Sequence, residues 1–80
     1  IFGVKPTFGR LSRHGTYPFV AAFDHLGPFA RDVADLALCY DALQGTDPED
    51  PHQQPRPAEP VSGLLGAGIA GLRIAVAEGH

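Results

Sequence analysis

Apolar and polar residues come in blocks along this chain. Ile1 to Val4 is a short apolar run closed by Lys5-Pro6, the pattern of a buried strand that stops where proline removes the next donor. Residues 7–16, TFGRLSRHGT, mix polarity around two glycines and predict a turn or an irregular loop. Residues 17–23, YPFVAAF, are apolar again. Pro18 cannot donate to a sheet ladder, so this run reads as an apolar loop or short helical turn against a larger body, not as a central strand. DHLGP at 24–28 is turn chemistry: the Asp24 side chain can bond its own following backbone, and Gly27-Pro28 punctuates.

The spacing predicts a helix over about 33–44. Asp32 is the N-cap candidate, with Asp35 at the third helical position as in a capping box. Val33, Leu36, Ala37, Tyr40 and Leu43 recur at helical spacing, and Gly45 suits the position just past the end. Ala34, Leu38 and Ala42 fall on the other side, where a surface helix would be polar. This helix is expected to be covered on more than one face.

Residues 46–60, TDPEDPHQQPRPAEP, hold five of the eight prolines and no large apolar side chain. They predict an extended, solvated surface linker, bounded at 46–63, in which Asp47, Glu49 and Asp50 are simply hydrated. The chain then recovers with GLLGAGIAGLRIAVAEGH, and Leu72 to Ala77 reads as a strand covered on both faces. The order is strand, irregular loop, helix, Pro-rich linker, strand. That is an α/β arrangement and suits a slice of a larger α/β protein.

Composition narrows the picture. Eighty residues allow one domain at most, and a core of this size rarely supplies more than about 3–5 kcal/mol without a staple. The lone Cys39 permits no internal disulfide; it reads as a small buried hydrophobe and fits a reducing cytoplasm. A net charge of −3 with six scattered Lys/Arg argues against direct nucleic-acid binding, and no apolar stretch approaches the roughly 20 residues of a membrane span.

Candidate chemistry is sparse. GAGIAG at 66–71 matches G-x-G-x-x-G, but the glycines precede the expected strand instead of following one. A pyrophosphate loop needs a strand leading in and a helix leading out, so a glycine-rich turn is the better reading. Ser12 lies near Lys5 and His14 but lacks the G-x-S-x-G elbow; it reads as a turn hydroxyl bonding backbone. His14, His25, His52 and His80 have no metal-like spacing. No metal or cofactor is expected, and no catalytic constellation stands within residues 1–80.

One run is more specific. Gly3-Val4-Lys5-Pro6-Thr7, Gly9-Arg10-Leu11-Ser12-Arg13 and Gly15 are followed by Asp24, Gly27-Pro28 and Ala30-Arg31, and then by Asp47-Pro48 with Asp50-Pro51. This pattern closely resembles the amidase signature family over nearly the whole chain, residues 52–70 matching least. The resemblance implies a slice of a mixed β-sheet surrounded by helices. It also implies hydrolysis of a carboxamide C–N bond by a Ser, cis-Ser, Lys triad, through an acyl-enzyme held at backbone donors. On this likeness the chain is a partial amidase domain, and the triad lies in sequence preceding Ile1. Lys5 is then not the triad lysine, Ser12 is neither triad serine, and the isolated 80-mer is expected to be inactive.

For the residues present, the resemblance implies lesser roles. Between Gly15 and Asp24 the family runs close to the acyl-enzyme, so Phe19, and secondarily Tyr17, are expected to line the substrate pocket. Lys5, Arg10, Ser12, Arg13 and Asp24 are expected to be scaffold, held through buried hydrogen bonds and ion pairs. The branch looks most like amidases related to carboxybiuret hydrolase, acting on small urea-like amides. The alternative is the amidase subunit of glutamyl-tRNA amidotransferase. A homodimer or a small accessory subunit is compatible with either. A different class, a non-catalytic interaction module or vestigial fragment, is separated from these by what precedes Ile1.

Overall fold

In the computed structural model, residues 1–79 are described. Strand β1 (Phe2–Gly3) pairs antiparallel with β2 (Phe29–Ala30), Phe2 opposite Ala30 and Gly3 opposite Phe29. The Val4 amide extends the pairing by donating to the Pro28 carbonyl at 3.2 Å. Glycine is required beside this pair: a Cβ on Gly27 would lie 1.9 Å from the Val4 carbonyl oxygen.

Helix α1 (Val33–Leu43) starts where its sequence says it should. Asp32 is extended, and its Oδ1 accepts the Asp35 amide at 2.8 Å, satisfying one of the orphan donors of the first turn. The helix stops at Gln44, which is extended, and Gly45 takes a φ of 137°. One turn from the end, the Asp41 carboxylate accepts the amides of Val61 (2.8 Å) and Ser62 (2.9 Å). This pins a single 3₁₀ turn, Ser62–Leu64, to the end of α1. The helix also packs on both strands. No helix is long and apolar enough to cross a membrane among the described residues.

Among the described residues the chain is thus a small α/β arrangement of one α-helix on a two-stranded antiparallel pair, and the mixed, helix-surrounded sheet is not found among them. The strand expected at 72–77 does not form: these residues have no ladder partner and lie exposed. A strand satisfies its N–H and C=O groups only against a neighbour, and the described residues offer none there. The strand expected at 1–4 is shorter and open to solvent, for its partner is equally short.

The core is thin. Leu11 and Ala37 are its buried apolar residues, with Pro6, Arg10 and Asp50 buried beside them. Helix α1 was expected to be covered on several faces, yet Val33, Leu38 and Leu43 stand exposed. Cys39, expected to be buried, is exposed too. Both corrections have one cause: no other described segment reaches those sides of the helix.

Candidate functional site

The polar side chains converge on the loop 9–16, whose path begins with Gly9 at a φ of 75°. The Gly9 carbonyl accepts the Gln54 amide at 2.8 Å, so the Pro-rich segment lies directly against the loop. Arg10 follows and turns inward. Its Nε donates to the Tyr40 hydroxyl at 3.2 Å, Nη1 to the Pro57 carbonyl at 3.0 Å and Nη2 to Gln44 Oε1, with the Glu59 carboxylate at 3.6 Å. The guanidinium therefore joins the loop, helix α1 and the Pro-rich segment. Its fixed fork of donors suits three acceptors in different directions.

Ser12 donates its hydroxyl hydrogen to Asp47 Oδ2 at 2.6 Å and accepts the His14 backbone amide at 3.1 Å. The His14 contact is through the main chain, not the imidazole. The Ser12 hydroxyl holds Asp47 below the usual carboxylate range, helped by the Glu49 amide. Three residues on, Asp50 accepts the amides of Arg13 (2.7 Å) and His52 (2.8 Å), and the same two bonds lower its pKa. The expectation that Asp47 and Asp50 are merely hydrated is corrected: both turn inward, and Asp50 is 8% exposed. Backbone amides facing a carboxylate favour its charged form.

Arg13 reaches the other way. Its Nη1 donates to the carbonyls of Ala21 (2.7 Å) and Asp24 (3.0 Å), and its guanidinium carbon stands 5.0 Å over the Phe8 ring. The Asp24 carboxylate accepts the amides of Phe19 (2.9 Å) and Val20 (3.0 Å). These bonds lower the Asp24 pKa, the Phe19 amide most. Asp24 therefore bonds the backbone before it, not the backbone after it as its turn chemistry had suggested. Residues 17–23 form bends and turns. Lys5 is exposed; its Nζ lies 3.5 Å from His25 Nε2, while His25 Nδ1 faces the Phe23 carbonyl at 2.7 Å. The carbonyl contact requires hydrogen on Nδ1.

Between loop and Pro-rich segment lies a cleft of about 270 Å³, its walls including Arg13, His14, Thr16, Asp24, Asp50 and His52. Phe19 and Tyr17 are not on its walls. Both rings face outward, 92% and 96% exposed. The structure thus joins Arg10, Ser12, Arg13 and Asp24 into one polar framework and leaves Lys5, Phe19 and Tyr17 on its outside. Sequence reasoning missed Tyr40, Gln44, Asp47, Asp50 and Glu59 as partners in that framework. The repeated Asp-Pro of D-P-x-D-P was the available signal, because such aspartates commonly bond nearby main chain.

Comparison with known proteins places the chain. The amidase family model matches residues 1–80. AtzE, the 1-carboxybiuret hydrolase subunit of Pseudomonas sp. (strain ADP), is 58% identical over 79 residues, which cover 99% of this chain and 17% of that protein. A glutamyl-tRNA(Gln) amidotransferase subunit of Anaeromyxobacter dehalogenans (strain 2CP-C) is 43% identical over 76 residues, 95% of this chain and 15% of that protein. A solved structure is similar with a TM-score of 0.85 and 60% identity, over 89% of this chain and 16% of that one. It is described as a vestigial protein complex revealing the evolutionary origins of an s-triazine catabolic enzyme. The chain spans about a sixth of the length of these relatives. With its whole length matched, the chain belongs to the amidase family.

Proposed function

We propose that these residues serve as part of a serine amidase that hydrolyses the C–N bond of a small carboxamide or urea-like amide. The observation that carries this reading is the 58% identity to a carboxybiuret hydrolase subunit, against 43% to an amidotransferase subunit. The chemistry would be that of a Ser, cis-Ser, Lys triad in the remainder of the polypeptide. The lysine draws the proton through the bridging serine, and the nucleophilic serine oxygen attacks the carbonyl carbon. The C–N bond breaks, the nitrogen leaves protonated, and water hydrolyses the acyl ester.

Within that scheme Arg10, Ser12, Arg13 and Asp24 are the frame that holds the loops beside the reacting amide, with Lys5 at its edge. Phe19 walls the substrate pocket, and Tyr17 contributes less. The outward set of both rings supports this, since they are free to meet a substrate or the rest of the protein. The reaction needs no cofactor. The relatives named as subunits support a small accessory subunit or a second copy as protein partner. The lone cysteine favours a cytoplasmic setting.

The test is ammonia release by the full polypeptide from carboxybiuret, biuret and glutamine. Faster turnover of the urea-like amides is expected. Turnover of glutamine alone would move the protein to the amidotransferase branch, and inertness towards all amides would favour a non-catalytic module. Phe19→Ala in an active enzyme is expected to change KM or substrate choice more than melting temperature. A large loss of stability with unchanged kinetics would remove Phe19 from the pocket.

A further inference from the structure

Asp50 is buried, charged and unused by the chemistry above. Its two oxygens are divided: Oδ2 takes the Arg13 amide and Oδ1 the His52 amide. Its own amide donates to the Asp47 carbonyl at 3.2 Å, so it is anchored in a turn of its own segment while it grips the loop at Arg13. From there the Arg13 side chain continues to the carbonyls of Ala21 and Asp24. The Asp24 carboxylate then takes the amides of Phe19 and Val20. Three charge-assisted contacts, each stronger than a neutral one, therefore lead from the Pro-rich segment to the backbone of Phe19, joined to one another through the covalent frames of Arg13 and Asp24. The Phe19 ring is exposed, so its place is set by its main chain rather than by packing among the described residues.

We propose that Asp50 is a positioning residue: through Arg13 and Asp24 it fixes the loop 17–24 and thereby where the Phe19 ring meets the substrate. This rests on the reading of Phe19 as a pocket wall. The geometry makes the acid specific. Asn at this position has one acceptor oxygen and must turn its amino group against one of the two N–H donors. A displacement of about 1 Å at a positioning element can lower rate by roughly 100-fold.

The experiment uses the full polypeptide and two readouts. Hydrogen exchange of the segment 17–24 is compared between wild type and Asp50→Asn, and kcat/KM for a small and a bulkier amide is measured in Asp50→Asn, Phe19→Ala and the double variant. Faster exchange at 17–24 is expected, with kcat/KM lowered by about 10- to 100-fold and preference between the two amides changed. In the Phe19→Ala background, Asp50→Asn should then leave that preference unaltered, because its route of action is gone. Unchanged exchange at 17–24 overturns the proposal whatever Phe19 does. Faster exchange with a kinetically silent Phe19→Ala overturns the pocket reading and the proposal with it. Should Asp50→Asn fail to fold, Asp50→Glu, which keeps the charge but moves both acceptor oxygens out by one methylene from the Arg13 and His52 amides, is read by the same two measurements, and unchanged exchange at 17–24 there overturns the proposal.

Discussion

The Arg10 guanidinium bonds the Tyr40 hydroxyl at 3.2 Å across thirty residues of chain, joining the loop to the middle of helix α1. Because Arg10 also serves Pro57 and Gln44, its removal strands several acceptors in a part-buried site. Its ionic partner Glu59 is 57% exposed and stays hydrated without it. The loss is therefore of hydrogen bonds more than of charge pairing: Arg10→Ala should destabilise the full polypeptide by roughly 2–4 kcal/mol. Arg10→Lys should recover little, since an ammonium lacks the fork. An unchanged melting temperature for Arg10→Ala would refute the structural role.

Ser12 and Asp47 lend themselves to a sharper test. The hydroxyl donates to a carboxylate and, among the described residues, bonds no imidazole. Ser12→Ala should lower stability by about 1 kcal/mol and leave amide turnover in place. Abolished turnover in a folded Ser12→Ala enzyme would make Ser12 the nucleophile.

Acid should loosen the framework. Asp24, Asp41, Asp47 and Asp50 are each held below their ordinary value of 3.8, mainly by backbone amides or, for Asp47, by the Ser12 hydroxyl. A folded pKa below the unfolded one adds stability that is complete above the unfolded value and is lost as pH falls through the folded one. The melting temperature should drop as pH is lowered below 3.8, and Asp50→Asn should flatten that drop. A Tm indifferent to acid would contradict the bonding described.

Gly27→Ala should be severe. The added Cβ would meet the Val4 carbonyl oxygen, a main-chain atom that cannot swing away. The expected result is a loss of several degrees in Tm, on the scale of a strained or overpacked site of about 1–3 kcal/mol. A neutral Gly27→Ala would mean that the β1–β2 region moves freely.

The isolated 80-mer should not melt cooperatively. Leu11 and Ala37 are too little apolar burial for one domain, while Leu38, Phe23, Ile74 and Val76 lie exposed. A sharp calorimetric transition would show that the segment is a domain by itself.

What could be read in advance followed from range. Helix α1 depends on Asp32, its local spacing and Gly45, all within fourteen residues, and it forms where expected. The strand at 72–77 depended on a ladder partner that no local pattern supplies, and it is absent among the described residues. Likewise, Asp47 and Asp50 look like hydrated charges in a proline-rich stretch: the Glu49 and His52 amides they take are local, but the partners that tie them to the loop, Ser12 and Arg13, lie 35 and 37 residues away. The family pattern contains Asp47 and Asp50 as well as Arg10 and Arg13, but not Tyr40, Gln44, Pro57 and Glu59, which receive Arg10.

The most direct test of the amidase account is to trap the acyl-enzyme. The full polypeptide is incubated with a small amide or a serine-reactive phosphonate, and the covalent adduct is located by peptide mass spectrometry. The account expects one modified serine outside residues 1–80, with loss of amide turnover in step with labelling. An adduct on Ser12, or full turnover with no modified serine, would contradict it.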